Sequence, residues 1–314
     1  VDRIFNLFIF TDGKLVLEIG ASVHEYLEND QKSEEFLKNR VYTDFETCEK
    51  YQLPSFLHDL NKDGTLNYTR YFSRVRLGRG FEVFEEIFND YSATAEPLAC
   101  VTIVVNGKPE IDISTDHAPF MYGDHQDHPK VGPGVMSDYL QKYMTEDGFD
   151  MPTLIHNDYF GAIKLTFNNK YYVSCVKLLV SFIDTIAYLE YGDEKNIFAK
   201  WLNTFCSLSE VNVSSEELWE HRNSVLHMTS LDSRKVASGK VARISFCVAG
   251  DGYVTPEQNG IKFYNLKSLI DCIASGLSNW IQSYNEKPEN FTAFIERYDK
   301  VISDDRHALS ERVP

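Results

Sequence analysis

The stretch WEHRNSVLHM, residues 219–228, brings Arg222, Asn223 and His227 into one short segment. An imidazole titrates close to neutral pH, so it can take or give a proton. A guanidinium is a permanent, forked cation suited to phosphate or carboxylate oxygens. Laid on a helix at about 100° per residue, Asn223 and His227 become i and i+4 neighbours on the face that carries Glu220, while Leu218, Trp219, Val225 and Leu226 gather opposite. Arg222 then falls within the apolar face. An unpaired buried guanidinium is too costly to desolvate, so it must reach a boundary or meet an anion.

The apolar run 171–191 supplies such an anion. Lys177, Ser181, Asp184, Thr185 and Tyr188 form one polar stripe on an otherwise apolar cylinder, at i+3 and i+4 spacing. Such a stripe needs water, a polar network or a ligand beside it. Asp184 or Glu190 could close a structural ion pair with Arg222, and Glu220, seven residues before His227, could raise the imidazole pKa.

Other clusters compete for chemical roles. DLNKDGTLNYTR places Asp59, Asn61, Asp63, Gly64 and Leu66 at positions 1, 3, 5, 6 and 8 of a calcium loop, but Arg70 stands where the bidentate Glu belongs, so an N-K-D-G turn is the simpler reading. The loop TDHAPFMYGDHQDHPK carries Asp116, His117, Asp124, His125, Asp127 and His128. That donor density suits a metal, and a metal-dependent hydrolase run from residues 112–128 is one functional class to weigh, although no regular element frames the ligands. RVRLGRG, with Arg74, Arg76 and Arg79, is a short basic island that could guide RNA or simply balance the neighbouring FEEIFND.

The whole chain narrows the context. The 314 residues, 43% hydrophobic and 13% aromatic, can bury a large core and predict two domains, or one domain with a large extension, rather than a disordered chain. A formal charge of −16 opposes sequence-blind attraction to nucleic acid or an anionic membrane, so any nucleic-acid chemistry must be local. Cys48, Cys100, Cys175, Cys206, Cys247 and Cys272 form no C-x-x-C pair, which fits a reducing cytoplasm. VDRIFNLFIF is too short and too early-charged for a signal peptide, and YYVSCVKLLVSFIDTIAYL carries Lys177 and Asp184, so it reads as a core helix rather than a membrane span.

The elements that must position these residues divide near residue 150. Residues 1–150 read as a mixed α/β region. It has a strand at NLFIF, a T-D-G turn, helical patterns at ASVHEYLEND, FETCEKY and GFEVFEEIF, a hairpin in CVTIVVNGKPEIDIS and a short helix in VMSDYLQKYM. Residues 151–314 read as an α-helical bundle with helices at 169–191, 195–206, 214–230, 264–284 and near 290–303, interrupted by a strand or hairpin in VARISFCVAGDGY. Ser214 with Glu217 forms a capping-box signature at the start of the third helix. The fold class is α+β, with a mixed N-terminal region followed by an all-α bundle.

R-N-S-V-L-H, placed on the third long helix of a bundle, resembles the HEPN family of helical domains over the C-terminal half. That family carries an Arg, often followed by a polar residue such as Asn, then a His after a gap of four to six residues. The resemblance implies metal-independent RNA cleavage with no cofactor, at a cleft where two subunits each contribute Arg222, Asn223 and His227. His227 would exchange protons with the ribose 2′-hydroxyl and the leaving 5′-oxygen, Arg222 would hold the phosphate, and Asn223 would orient one of them. Asp184, Glu220, Ser181 and Tyr188 would support the site. The resemblance further implies a cytoplasmic homodimer acting on RNA as a toxin or phage-defence effector, with residues 1–150 as its sensor or regulator, an antitoxin or activator as partner and no membrane. HEPN-like domains also include silent binders, so an interaction or nucleotide-binding module is the alternative.

Overall fold

A computed structural model describes residues 3–93, 97–110, 135–145, 148–228, 234–250, 253, 255–302 and 306–309. The chain is mixed α and β and divides into two compact units, Val1–Lys142 with Asp305–Pro314, and Tyr143–Asp304.

In the first unit, β1 (Arg3–Thr11) and β2 (Leu15–Glu25) form an antiparallel hairpin whose pairing runs from Arg3 opposite Glu25 to Thr11 opposite Val16. Asp12 closes its turn by accepting the amides of Lys14 and Leu15 at 2.8 and 2.7 Å, and those bonds, Leu15's first, hold its carboxyl below the ordinary value. α1 (Asp30–Thr47) follows, capped by Asn29, whose side chain accepts the Lys32 amide at 2.9 Å. Then come β3 (Glu49–Tyr51), β4 (Leu66–Asn67), α2 (Tyr68–Arg76), a 3-10 turn at Gly80–Phe84, α3 (Glu85–Asp90), β5 (Ala99–Val105) and β6 (Lys108–Glu110). The sheet runs β3-β2-β1-β5-β6, with β4 also on β2 and β1 parallel to β5. The β5–β6 turn is the N-G pair: Asn106 and Gly107 have φ of 50° and 78°, the two positive values a type I′ turn needs. Phe5, Leu7 and Ile9 face a core with Tyr71, Val83 and Phe84, while Phe8 and Phe10 pack on Val41 and Phe45 of α1. β1 is therefore apolar from Ile4 to Phe10 apart from Asn6, because both of its faces are covered.

The sequence predicts a helix over ASVHEYLEND, but Ala21–Glu25 extend β2, since each residue has a partner on β1. The helix starts only after the Asn29 cap. FETCEKY splits in the same way, closing α1 and opening β3. VMSDYLQKYM is a strand, β7 (Val135–Asp138), followed by α4 (Tyr139–Tyr143).

The second unit opens with the small hairpin of β8 (Met144–Thr145) and β9 (Gly148–Phe149). α5 (Met151–Ile155) continues through a π turn, His156–Phe160, into α6 (Gly161–Asn168). α7 (Tyr172–Tyr191), α8 (Ile197–Phe205), α9 (Ser215–Asn223), the short α10 (Arg234–Ala237), α11 (Leu266–Glu286) and α12 (Asn290–Ile302) make up the helical region. Trp201 of α8 and Trp280 of α11 are both fully buried and meet edge to face, with centroids 6.4 Å apart. α7 is long and apolar enough to cross a membrane, yet Cys175, Val176, Leu179, Val180, Ile183 and Ile186 are buried against the other helices. A core helix is what the sequence predicts there.

VARISFCVAGDGY contributes β10 (Arg243–Cys247), which pairs in parallel with β11 (Ile261–Asn265) rather than with a hairpin partner. β11 takes the first residues of the expected 264–284 helix. Asn265 makes that junction abrupt, because its side chain caps α11 through the Lys267 amide while donating to the carbonyls of Ala249, Gly250 and Tyr253. β12 (Arg306–Leu309) lies beyond the helices and pairs antiparallel with β7, so residues 306–309 belong to the first unit rather than to the bundle expected through 314.

Candidate functional site on helix α9

Ser214 accepts the Glu217 amide at 3.1 Å and the Glu217 carboxylate accepts the Ser214 amide at 2.7 Å, so the capping box starts α9 where its residues predict. The regular helix ends at Asn223 and a π turn, Ser224–Met228, carries it on. A π turn bonds i to i+5 and appears often at functional sites. It also changes the phase of the helix. The backbone from Asn223 to His227 therefore departs from the 3.6-residue period on which their i and i+4 spacing was read. The backbone of His227 lies in this π turn, and its side chain is outside the described residues.

Arg222 sits at a boundary, with 20% of its side chain exposed. Its Nε donates to Asp184 Oδ2 on α7 at 2.5 Å, its Nη1 donates to Asn223 Oδ1 at 3.0 Å, and its guanidinium lies over the Trp219 ring at 5.1 Å. The anion required by the sequence is thus Asp184. Glu190, the other possibility, instead accepts Trp280 Nε1 and Tyr284 Oη at 2.8 and 3.0 Å. Charge-assisted bonds on two edges orient a planar fork more tightly than packing alone.

The rest of the expected constellation is redistributed. The buried residues of this segment are Leu218, Glu220, His221 and Ser224, so the inward stripe is rotated from the one simple helical phase predicts. Glu220, expected on the polar face beside His227, is 5% exposed and its carboxylate meets Lys235 at 3.2 Å. Ser181 is exposed and Tyr188 half-buried on α7, and among the described bonds Ser181 engages Thr185 through its carbonyl.

The sequence reading misses His221, which points inward three residues after Leu218. It is 4% exposed, its Nε2 lies 3.2 Å from Tyr264 Oη, and its Nδ1 has no hydrogen-bond partner among the described residues. Burial pushes its pKa down to about 4, so it folds as the neutral ring. The only sequence signal was its i+3 spacing from Leu218. In the unfolded chain this histidine takes a proton near 6.5. Its contribution to stability is therefore complete above that pH, and is lost as pH falls from 6.5 through about 4. The wild type is expected to lose about 3 kcal/mol more than His221→Gln between pH 7 and pH 4, read from urea unfolding at each pH. Parallel pH profiles would show that the ring is not neutral in the fold.

The other clusters are built differently from what their residues suggest. Arg74, Arg76 and Arg79 do not form an open basic surface for RNA. Arg74 is 2% exposed and clamped by Asp59 and Glu82, Arg76 is buried against the Tyr139 ring, and Arg79 Nε donates to Glu82 at 2.6 Å. α2 turns two of these cations inward, where Asp59 and Glu82 neutralise Arg74 and the Tyr139 ring covers Arg76. Asp59 is thereby spent on Arg74, while Asp63 accepts both the amide and the hydroxyl of Thr65, so the calcium-like segment is a turn held by its own side chains. Asp116, His117, Asp124, His125, Asp127 and His128 lie outside the described residues. Among the described residues no cluster of three or more metal-ligating side chains occurs.

A polar hub in the first unit also escapes a sequence reading. Asp44 of α1 is 1% exposed and accepts Asn6 Nδ2 and His24 Nε2 at 2.7 Å each, and Arg40 Nε at 3.1 Å. Arg40 is its i−4 neighbour on α1, but Asn6 of β1 and His24 of β2 are too far away in sequence for spacing to reveal.

No family model, no curated protein and no solved structure matches the chain.

Proposed function

We propose that the Tyr143–Asp304 unit is a metal-independent endoribonuclease of the HEPN kind, working as a homodimer. The observation that carries this reading is the placement of Arg222. It is half-buried at a boundary, oriented by Asp184 and Asn223, and lies two residues before the π turn that holds the His227 backbone. In the reaction, one His227 imidazole takes the proton of a ribose 2′-hydroxyl and the 2′-oxygen attacks the adjacent phosphorus. The P–O5′ bond breaks, and the leaving 5′-oxygen takes a proton from the second subunit's imidazole. The Arg222 guanidiniums hold the non-bridging oxygens as charge accumulates on them. The products are a 2′,3′-cyclic phosphate and a free 5′-hydroxyl. In this reading the protein is a cytoplasmic toxin or phage-defence effector, and an antitoxin or activator governs it through the first unit.

The competing reading is a silent interaction or nucleotide-binding module, and the engagement of Arg222 with Asp184 and Asn223 within its own chain favours it. Incubating the full chain with mixed RNA and excess chelator separates the two. Cutting that yields cyclic-phosphate ends supports the ribonuclease. An intact RNA pool alongside a stable dimer supports the silent module. Cutting that needs a divalent ion returns the weight to residues 112–128.

A further inference from the structure

Six cysteines occur without a pair motif, yet the fold brings two of them together. Cys206 follows α8, and its Sγ is seated on α11 where Gly276 leaves space. A Cβ at Gly276 would overlap that sulfur and would stand 3.2 Å from the Phe205 carbonyl oxygen. Glycine inside a long helix costs about 1 kcal/mol relative to alanine, and here it permits this close approach. Asn279 fixes the same junction, its Nδ2 donating to Phe205 O at 3.1 Å. Cys272 lies one helical turn before Gly276 on the same face of α11, so the Cys206 sulfur seated at Gly276 is brought beside the Cys272 side chain. Both side chains are only partly buried.

We propose that Cys206 and Cys272 are a peroxide-reactive thiol pair that closes reversibly into a disulfide. Cys272 is the attacking sulfur. The hydrogen bond from Cys206, together with the Ser207 amide, holds its thiol below the ordinary value, whereas the same bond and burial push Cys206 up. The Cys272 sulfur attacks one oxygen of hydrogen peroxide, the O–O bond breaks, and the released oxygen leaves as water with the thiol proton. A sulfenic acid remains on Cys272. The Cys206 sulfur then attacks it, the S–O bond breaks, and a second water departs with the Cys206 proton. Two thiols are oxidised to one disulfide and one peroxide is reduced to two waters. The loop so closed contains α9 and its π turn. This assignment stands whether or not the protein cuts RNA.

The test treats the full chain with a few equivalents of hydrogen peroxide, blocks remaining thiols and digests with trypsin without reductant. The expected result is a linked pair of the 201–222 and 268–297 peptides that dithiothreitol separates, with Cys48, Cys100, Cys175 and Cys247 still alkylated. The oxidised wild type should also melt roughly 5 °C or more above its reduced form, because a long loop is closed, and Cys272→Ala should show no such rise. In Cys206→Ala the sulfenic acid should persist and be captured by dimedone. Two free thiols after peroxide has oxidised cysteine in the same tube would overturn the proposal. So would Cys272 passing to sulfinic acid in the wild type with no link formed.

Discussion

Replacing His227 by alanine is expected to lower single-turnover RNA cleavage by about 10²–10⁴-fold, the usual contribution of a positioned acid or base. Arg222→Ala should cost about 10²–10³-fold, as removal of a preorganised charge from a developing oxyanion does. The double variant should be scarcely worse than the poorer single one, because the two groups act on one transition state. Arg222→Lys should recover little, since a point charge cannot hold Asp184 and Asn223 on two edges at once. Stability separates chemistry from collapse. The Arg222–Asp184 pair is partly exposed on both sides, 20% and 26%, so losing it should cost no more than about 1 kcal/mol. Circular dichroism and sedimentation should therefore find each variant folded with unchanged assembly. Wild-type cutting rates in His227→Ala would sink the ribonuclease reading.

The largest loss of stability is expected from Asp44→Ala, about 3–5 kcal/mol by chemical denaturation, because it strips a buried carboxylate from three donors at once. Asn6 and Asp44 are each 1% exposed, so the Asn6 amide would keep its bond to Leu37 O and lose its stronger one with no water to replace it. Arg40→Ala is the contrast. Its side chain is 41% exposed, and the change should cost under about 1 kcal/mol even though it breaks a bond to the same carboxylate. Equal losses in the two variants would mean that Asp44 is solvated and the hub is not what ties α1 to the sheet.

Local signals in the residues reached some of these features and not others. The Ser214–Glu217 cap, the N-G turn and the long apolar helices α7 and α11 were legible because each depends on neighbours a few positions apart. The ion pair of Arg222 with Asp184 was legible as a requirement, since a guanidinium on an apolar face must find an anion. What escaped depends on long-range pairing or on a break in periodicity. β2 claimed residues with helical spacing because β1 offered them partners. Glu220 and His221 turned inward on α9 toward Lys235 and Tyr264, partners that lie beyond the segment itself. Arg74 of the basic island turned inward because Asp59 and Glu82 converge on it from segments whose meeting no local pattern encodes.

The pairing of β7 with β12 has a consequence for synthesis of the chain. Residues 135–138 leave the ribosome well before residues 306–309, and every helix from α5 to α12 is made in between. Domains fold as they emerge, so the helical region can consolidate while this ribbon of the first unit still waits for its second strand. Stalled translation or proteolytic clipping after Ile302 would then leave β7 with an open edge, the kind of surface that recruits other chains into aggregates.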